Sequence, residues 1–158
     1  MTHPEITVAA VTEANGRFLL VEERIEGRLV INQPAGHVEA GETLLEAIIR
    51  EVREETAWRF TARELLGVYL WRHPGTGRFT KRFAFTGLVS DHRDQKLDEG
   101  IVGTHWLTPA ELKQREPQLR SPLVLRCIDD YLAGRRQPLA VAADLDLGSA
   151  LTVAAVGL

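Results

Sequence analysis

The chain has 158 residues, with 19 Lys and Arg against 22 Asp and Glu, a net charge of −3 and 44% hydrophobic residues. This length and apolar content predict one folded domain and exclude a chain that is disordered throughout. The slightly acidic balance argues against a protein that holds nucleic acid, and the single cysteine, Cys127, excludes an internal disulfide framework. No run approaches the roughly 20 apolar residues of a membrane helix, and residues 1–10 lack the pattern of a secretion signal. We therefore expect a cytoplasmic protein without a membrane or nucleic-acid partner, and we make no prediction of its oligomeric state.

The N-terminal part of the chain has the apolar pattern of β-strands separated by short turns. Residues 6–11 and 17–22 are predicted strands on either side of an Asn-Gly pair at 15–16, which is the strongest short hairpin signal. A further short strand is predicted over residues 28–32. The segment 33–42 is punctuated by Pro and Gly, so we expect a loop there.

A helix is predicted from Thr43 to about Thr56. Thr43 and Glu46 have the T-x-x-E spacing of a capping box, and the segment contains neither Gly nor Pro. On a wheel of about 100° per residue the apolar side chains form one stripe that would face a core. That stripe consists of Leu44, Leu45, Ile48, Ile49 and Val52.

Three carboxylates of this helix, those of Glu51, Glu54 and Glu55, share an arc of about 100° beside the apolar stripe. Glu55 falls inside the stripe, where an unpaired charge is costly, and like charges at this spacing repel one another. Arg50 can pair with Glu54 but does not neutralise three carboxylates, whereas Mg²⁺ held by oxygen ligands does. The alternative is an ordinary solvated face, which is the usual role of a Glu-rich helix. The border with the core and the preceding Gly-containing loop favour the metal site.

The rest of the chain is predicted to form further strands and two short helices. Strands are predicted over residues 64–71, 79–89 and 100–107, and helices over 108–113 and 121–133. We place one domain over residues 1–145 and treat residues 146–158 as a C-terminal tail.

The central loop and helix match a family signature, the Nudix box G-x5-E-x7-R-E-U-x-E-E-x-G-U, in which U is a bulky apolar residue. Gly36, Glu42 and Arg50 keep this spacing, and residues 50–55 continue it as REVREE. The chain therefore resembles the Nudix hydrolase family. Ala57 replaces the second glycine of the box, which is tolerable if the end of the helix does not need a positive φ.

The likeness extends over roughly residues 5–140 and is to the NudJ-type phosphatases of this family. It is carried outside the box by residues 32–37, Trp71, residues 82–85, Trp106 and residues 119–124. It implies an α/β fold, an α/β/α sandwich with a central mixed β-sheet. It also implies Mg²⁺-dependent hydrolysis of nucleoside di- and triphosphates and of the thiamin-precursor pyrimidine diphosphate, with release of inorganic phosphate. We expect Mn²⁺ to substitute in part, because it also prefers oxygen ligands.

The predicted catalytic residues all belong to the Nudix box. The predicted metal ligands are the carboxylates of Glu51, Glu54 and Glu55 and, by resemblance, the carbonyl of Gly36. Arg50 would orient Glu54, and Glu42 would brace the loop by pairing with Arg50. The base that deprotonates the attacking water is left open between Glu54, Glu55 and the acidic pair at 98–99.

Two arginines and a tryptophan are the candidates for binding the substrate. Arg82 would reach a substrate phosphate, because Arg offers fixed donors to phosphate oxygens, and Arg28 is the weaker candidate. Trp71 lies next to a Gly-rich turn and would stack on an aromatic ring, with a core or rim aromatic as the alternative. Trp106 and Cys127 are assigned to the core.

Other functions within the family remain open at this point. A nucleotide sugar, a dinucleoside polyphosphate or a capped RNA end would be an alternative substrate, and the lack of a basic run weighs against RNA. A nucleotide-sensing module without activity is disfavoured because the chain retains every carboxylate of the box.

Overall fold

A computed structural model describes residues 3–142, so the predicted tail and its boundary at 145 lie outside the described residues. The strands are β1 (Glu5–Val11), β2 (Glu13–Ala14), β3 (Arg17–Ile25), β4 (Arg28–Asn32), β5 (Ala35–His37), β6 (Arg59–Arg72), β7 (Phe79–Ser90), β8 (Ile101–Leu107) and β9 (Gln137–Pro138). The helices are α1 (Leu44–Thr56), α2 (Pro109–Gln114), a 3₁₀ turn (Glu116–Gln118) and α3 (Leu123–Leu132). None of the helices within residues 3–142 has the length and apolar content that a membrane span requires.

The strands form two sheets. The larger is a mixed sheet in the order β5-β1-β7-β6-β9, in which β1 and β7 run parallel, with Val8 opposite Phe83. Its other neighbouring strands pair antiparallel. In the smaller sheet β3 pairs with β2, β4 and β8, all antiparallel. The hairpin predicted between residues 6–11 and 17–22 is corrected here: the Asn-Gly turn at 15–16 joins the short β2 to β3, whereas β1 belongs to the other sheet.

Helices α1 and α3 pack on opposite faces of the mixed sheet. Ile48 and Val52 of α1 belong to one buried cluster with Phe83 and Phe85 of β7. The alternate residue of that strand, Ala84, turns to the other face, where the second cluster includes Val124, Cys127 and Ile128 of α3. This arrangement confirms the predicted α/β/α sandwich, and the burial of Cys127 confirms its place in the core.

Helix α1 begins as its sequence predicts. The Thr43 hydroxyl accepts a hydrogen bond from the Glu46 backbone N–H at 3.1 Å, and the Glu46 carboxylate accepts one from the Thr43 N–H at 3.0 Å. This capping box satisfies two N–H groups that the first turn would otherwise leave without partners. The helix ends at Ala57 in the left-handed region, with a φ of 66°. The box position usually held by glycine therefore does need a positive φ here, and an alanine occupies it.

Three local expectations need correction. The loop predicted over 33–42 contains a short strand, β5, because its backbone pairs antiparallel with β1. Ile49 is 40% exposed, since α1 leans on the sheet with the opposite edge of its apolar stripe. Trp106 is only partly buried and lies outside the two core clusters.

Candidate active site

The carboxylates of α1 meet a carboxylate from a distant loop. Glu51 is 8% exposed, and the Glu54 side chain is 38% exposed. Ligand oxygens of Glu51, Glu54 and Asp98 all lie within 4.8 Å of one another. Glu55 is not part of this group, so two of the three predicted carboxylate ligands converge, together with a third from another loop.

Backbone hydrogen bonds bring Asp98 to the helix. The Asp98 N–H donates to the Glu54 carbonyl at 2.9 Å, which fixes the loop against the last turns of α1. The Asp98 carbonyl then accepts from the Ile101 N–H at 3.1 Å, where β8 begins. Both members of the acidic pair at 98–99 are exposed, and of the two it is Asp98 that joins the cluster. The sequence showed an acidic pair just before a strand. It did not show which of the two residues contacts α1.

Gly36 packs directly against the cluster. A Cβ atom at this position would overlap the carboxylate of Glu51, so any other residue would push that side chain away. This close approach explains why a glycine begins the box. The role of the Gly36 carbonyl as a ligand stays a prediction.

Glu55 lies beside the cluster in a buried position. It is 8% exposed, and its Oε1 accepts a hydrogen bond from the Ala35 N–H at 2.9 Å. Burial raises the pKa of Glu55 to about 9, and the neighbouring charges of Glu51, Glu23 and Asp98 act in the same direction. Glu55 is therefore protonated at neutral pH when no cation is bound.

Arg50 is the hydrogen-bonding centre of the site. Its Nε and Nη2 donate to Glu42 at 2.6 and 2.9 Å, which confirms that Glu42 pairs with Arg50 and braces the loop. Its Nη1 donates to Glu51 at 2.8 Å and to Glu54 at 3.2 Å, and Nη2 also reaches the His37 carbonyl at 3.0 Å. One guanidinium therefore fixes the loop and two of the clustered carboxylates.

The cluster keeps an excess of negative charge in spite of Arg50. Burial raises the pKa of Glu51 above its ordinary value although Arg50 donates to it. Burial and the nearby Asp98 charge do the same for the pKa of Glu54. An all-oxygen set of acidic ligands with this excess charge fits a hard divalent cation.

Trp71 lies at an open cavity. The cavity has a volume of about 310 Å³ and is lined by Trp71, His73, Pro74, Glu116, Leu119, Arg120, Ser121, Pro122 and Leu125. The Trp71 ring is partly exposed and meets the His73 ring edge-on at 5.2 Å between centroids. Trp71 is thus a rim aromatic that lines the cavity, and stacking on a substrate ring stays a prediction.

The two predicted phosphate-binding arginines lie elsewhere. Arg82 is 5% exposed, and its two amino groups donate to Gln33 Oε1 at 2.9 Å and to Asn32 Oδ1 at 3.0 Å. Because the side chain is buried and its two amino groups bind Gln33 and Asn32, Arg82 supports the segment that leads to Gly36 instead of facing an open site. Arg28 is exposed at the turn between β3 and β4, opposite Ile25.

Comparisons with known proteins agree with this geometry. The NUDIX domain family matches residues 1–127. The chain is 38% identical over 146 residues to the protein named Phosphatase NudJ of Escherichia coli K12, a match that covers 92% of this chain and 95% of that protein. A solved NUDIX hydrolase from Nitrosomonas europaea is 44% identical, with a TM-score of 0.86 over 88% of this chain and 95% of its own. A solved UDP-X diphosphatase, at 21% identity and a TM-score of 0.71 over 87% of this chain and 67% of its own, shares the fold. With its signature, sandwich and carboxylate cluster in agreement, this chain belongs to the Nudix hydrolase family.

Proposed function

We propose that this chain is a Mg²⁺-dependent phosphohydrolase that cleaves the terminal phosphoanhydride bond of small diphosphates and triphosphates and releases inorganic phosphate. The observation that carries the proposal is the convergence of Glu51, Glu54 and Asp98 oxygens within 4.8 Å. The likeness to a protein named as a phosphatase supports release of phosphate over release of pyrophosphate. Nucleoside di- and triphosphates and the thiamin-precursor pyrimidine diphosphate are the substrates that the resemblance suggests.

The three clustered carboxylates would hold Mg²⁺, with the Gly36 carbonyl and Glu55 beside them. Bound Mg²⁺ supplies the positive charge that offsets charge on the phosphate oxygens during phosphoryl transfer. Arg50 keeps Glu51 and Glu54 in place before any ligand arrives, so the site is ordered in advance. Such preorganisation favours the reaction, because the carboxylates need no reorientation during the chemical step.

We assign the base to Glu54. It is the more exposed of the α1 carboxylates in the cluster, so water can reach it, whereas Glu55 is buried and accepts a hydrogen bond from the Ala35 N–H. Glu54 would take a proton as the water oxygen bonds to the terminal phosphorus. The bridging P–O bond breaks at the same time, and the electron pair leaves with the remaining phosphate group.

An activity screen with a panel of diphosphates and triphosphates tests the proposal. The readout scores inorganic phosphate against pyrophosphate in Mg²⁺, in Mn²⁺ and in excess EDTA. We expect phosphate release with Mg²⁺, partial activity with Mn²⁺ and loss of activity with EDTA. Full activity in EDTA after dialysis would reject the metal assignment, and pyrophosphate as the product would reject the phosphatase assignment.

A further inference from the structure

The cationic side chain of Arg120 lines the Trp71 cavity. Arg120 is exposed, and its guanidinium makes neither a hydrogen bond nor an ion pair with any residue between 3 and 142. The arginines of α3 and its C-terminal flank differ. Arg126 donates to Asp130 at 3.1 Å, and Arg136 donates to the Tyr131 carbonyl at 3.2 Å. Arg120 therefore keeps its donors available for a ligand.

The backbone that carries Arg120 is held firmly. The Arg120 N–H donates to the Ile31 carbonyl at 2.8 Å, and Leu119 pairs with Ile31 as a parallel bridge. On its other side Ser121 is buried, and its hydroxyl accepts from the Leu123 N–H at 3.2 Å. The Arg120 side chain, which makes no hydrogen bond or ion pair within residues 3–142, therefore extends from a backbone that is held in place beside the cavity.

The same short segment of chain borders the cavity and the carboxylate cluster. Ile31 holds Arg120, and five residues later Gly36 packs against Glu51. Glu23 interacts electrostatically with Arg120 on one side and with Glu55 on the other. Arg120 therefore stands between the cavity that it lines and the segment that packs against the cluster.

The walls of the cavity suit a ring-bearing ligand. Its lining includes the aromatic Trp71, the apolar Leu119, Pro122 and Leu125, and the cationic Arg120. A volume of about 310 Å³ is at the small end of ligand pockets, which favours one ring system over a dinucleotide. Arg is suited to a phosphate because its planar fork of donors matches phosphate oxygens.

We propose that Arg120 is a specificity-determining residue that binds the phosphate nearest the ring-bearing group of the substrate, while Trp71 stacks on the ring. The proposal rests on the proposed function, since the phosphate next to the ring is the one that stays with the leaving group. Arg120 thereby sets which diphosphates place their terminal phosphate at the carboxylate cluster. This role belongs to Arg120 and not to the buried Arg82.

Equilibrium binding separates the two contacts without any reaction. Cytidine 5′-monophosphate and cytidine are titrated by calorimetry in Mg²⁺, since neither has a phosphoanhydride bond to cleave. We expect the wild type to bind the monophosphate more tightly, and Arg120→Gln to lower the ratio of the two affinities about tenfold or more, as for loss of a charge-assisted hydrogen bond. Trp71→Leu should weaken both ligands by a similar factor, about five- to a hundredfold for a stacking contact.

Arg115→Gln is the matched control, because Arg115 belongs to the same segment but does not line the cavity. It should keep the wild-type ratio. The proposal is overturned if Arg120→Gln keeps that ratio, if Arg115→Gln lowers it equally, or if the wild type shows no preference for the monophosphate. Failure of the proposed function would show separately, as absence of phosphate release from every diphosphate of the activity screen.

Discussion

Helices α1 and α3 lie on opposite faces of one sheet, and each buries a carboxylate in a different way. Asp130 of α3, 6% exposed, accepts hydrogen bonds from the Tyr69 hydroxyl at 2.7 Å and from Arg126 at 3.1 Å. Burial opposes its ionisation, but these hydrogen bonds outweigh it and hold the pKa of Asp130 below its ordinary value. Glu55 of α1 is buried to a similar degree, and burial raises its pKa to about 9.

The two helices therefore differ in whether the protein itself compensates the carboxylates that they bury. The α3 face satisfies its buried charge with the protein's own donors, which stabilises the fold. The α1 face concentrates carboxylates around a single guanidinium and leaves negative charge in excess, which costs stability until a cation arrives. Four comparisons between matched residues test this contrast.

The largest effect is expected at Glu54. Glu54→Gln keeps the size of the side chain and removes the charge that binds Mg²⁺ and takes the proton. We expect a loss of roughly 10²–10⁴-fold in kcat, the range for one positioned acid–base group. The variant should fold, and Mg²⁺ should raise its melting temperature less than that of the wild type.

Asp129→Asn on α3 is the control for Glu54→Gln, since it removes an exposed carboxylate from the opposite face. Its kcat at saturating Mg²⁺ and its Mg²⁺-induced rise in melting temperature should match the wild type. Wild-type values of both for Glu54→Gln would mean that Glu54 lies on a solvated face. The base would then be sought at Glu55 or in the 98–99 pair.

The second comparison sets Asp130→Asn against Glu55→Gln in urea unfolding with EDTA. Asp130→Asn should lower the free energy of unfolding by about 1–3 kcal/mol, because it leaves buried donors poorly matched. Glu55→Gln should instead raise it at pH 8, because the amide keeps the hydrogen bond from Ala35 and needs no proton. Destabilisation by both variants would contradict the contrast between the two helices.

The raised pKa of Glu55 also makes the free energy of unfolding depend on pH. The folded chain holds a proton on Glu55 up to about pH 9, whereas the unfolded chain loses it near 4.5. The contribution of Glu55 is therefore fully present below about pH 4.5 and is lost as the pH rises towards 9, by up to about 1.4 kcal/mol per pH unit. Glu55→Gln should flatten this slope in EDTA. Asp130→Asn should keep it, because the lowered pKa of Asp130 changes stability only under acidic conditions.

The third comparison uses the neighbours at 98–99. Asp98→Asn removes one charge from the cluster and should weaken Mg²⁺ binding at least about tenfold, because the number of charged ligands sets the affinity of such sites. Glu99→Gln removes the same charge one residue away and should leave the affinity within about twofold. Calorimetric titration of Mg²⁺ measures both. Equal weakening would show a diffuse electrostatic effect and no ligand role for Asp98.

The sequence predicted the parts of the molecule that local patterns determine. The capping box of α1, the burial of Glu55 and the pairing of Glu42 with Arg50 follow from spacing along a single helix and its loop. Arg82, Asp98 and Arg120 depend on contacts between segments far apart in the chain. The residue type of Arg82 suggested a phosphate ligand, but only its contacts with the distant Asn32 and Gln33 show that its two amino groups are already used.

The smallest effect is expected where the two helices end. Ala57 ends α1 with a φ of 66°, whereas Ala133 ends α3 with a φ of −74°. An alanine in the left-handed region costs about 1–2 kcal/mol, and glycine removes that cost while losing about 0.5–1 kcal/mol to the entropy of the unfolded chain. The methyl group of Ala57 is buried, and its loss costs about 0.8 kcal/mol. Ala57→Gly should therefore leave the free energy of unfolding within about 0.5 kcal/mol of the wild type, or roughly 1–2 °C in Tm. Ala133→Gly loses the same entropy without relief of strain and should lower the free energy of unfolding by about 0.5–1 kcal/mol. Thermal melts should therefore place Ala57→Gly close to the wild type and Ala133→Gly below it. A larger drop in Tm for Ala57→Gly than for Ala133→Gly would show that the left-handed backbone of Ala57 carries no strain that glycine relieves.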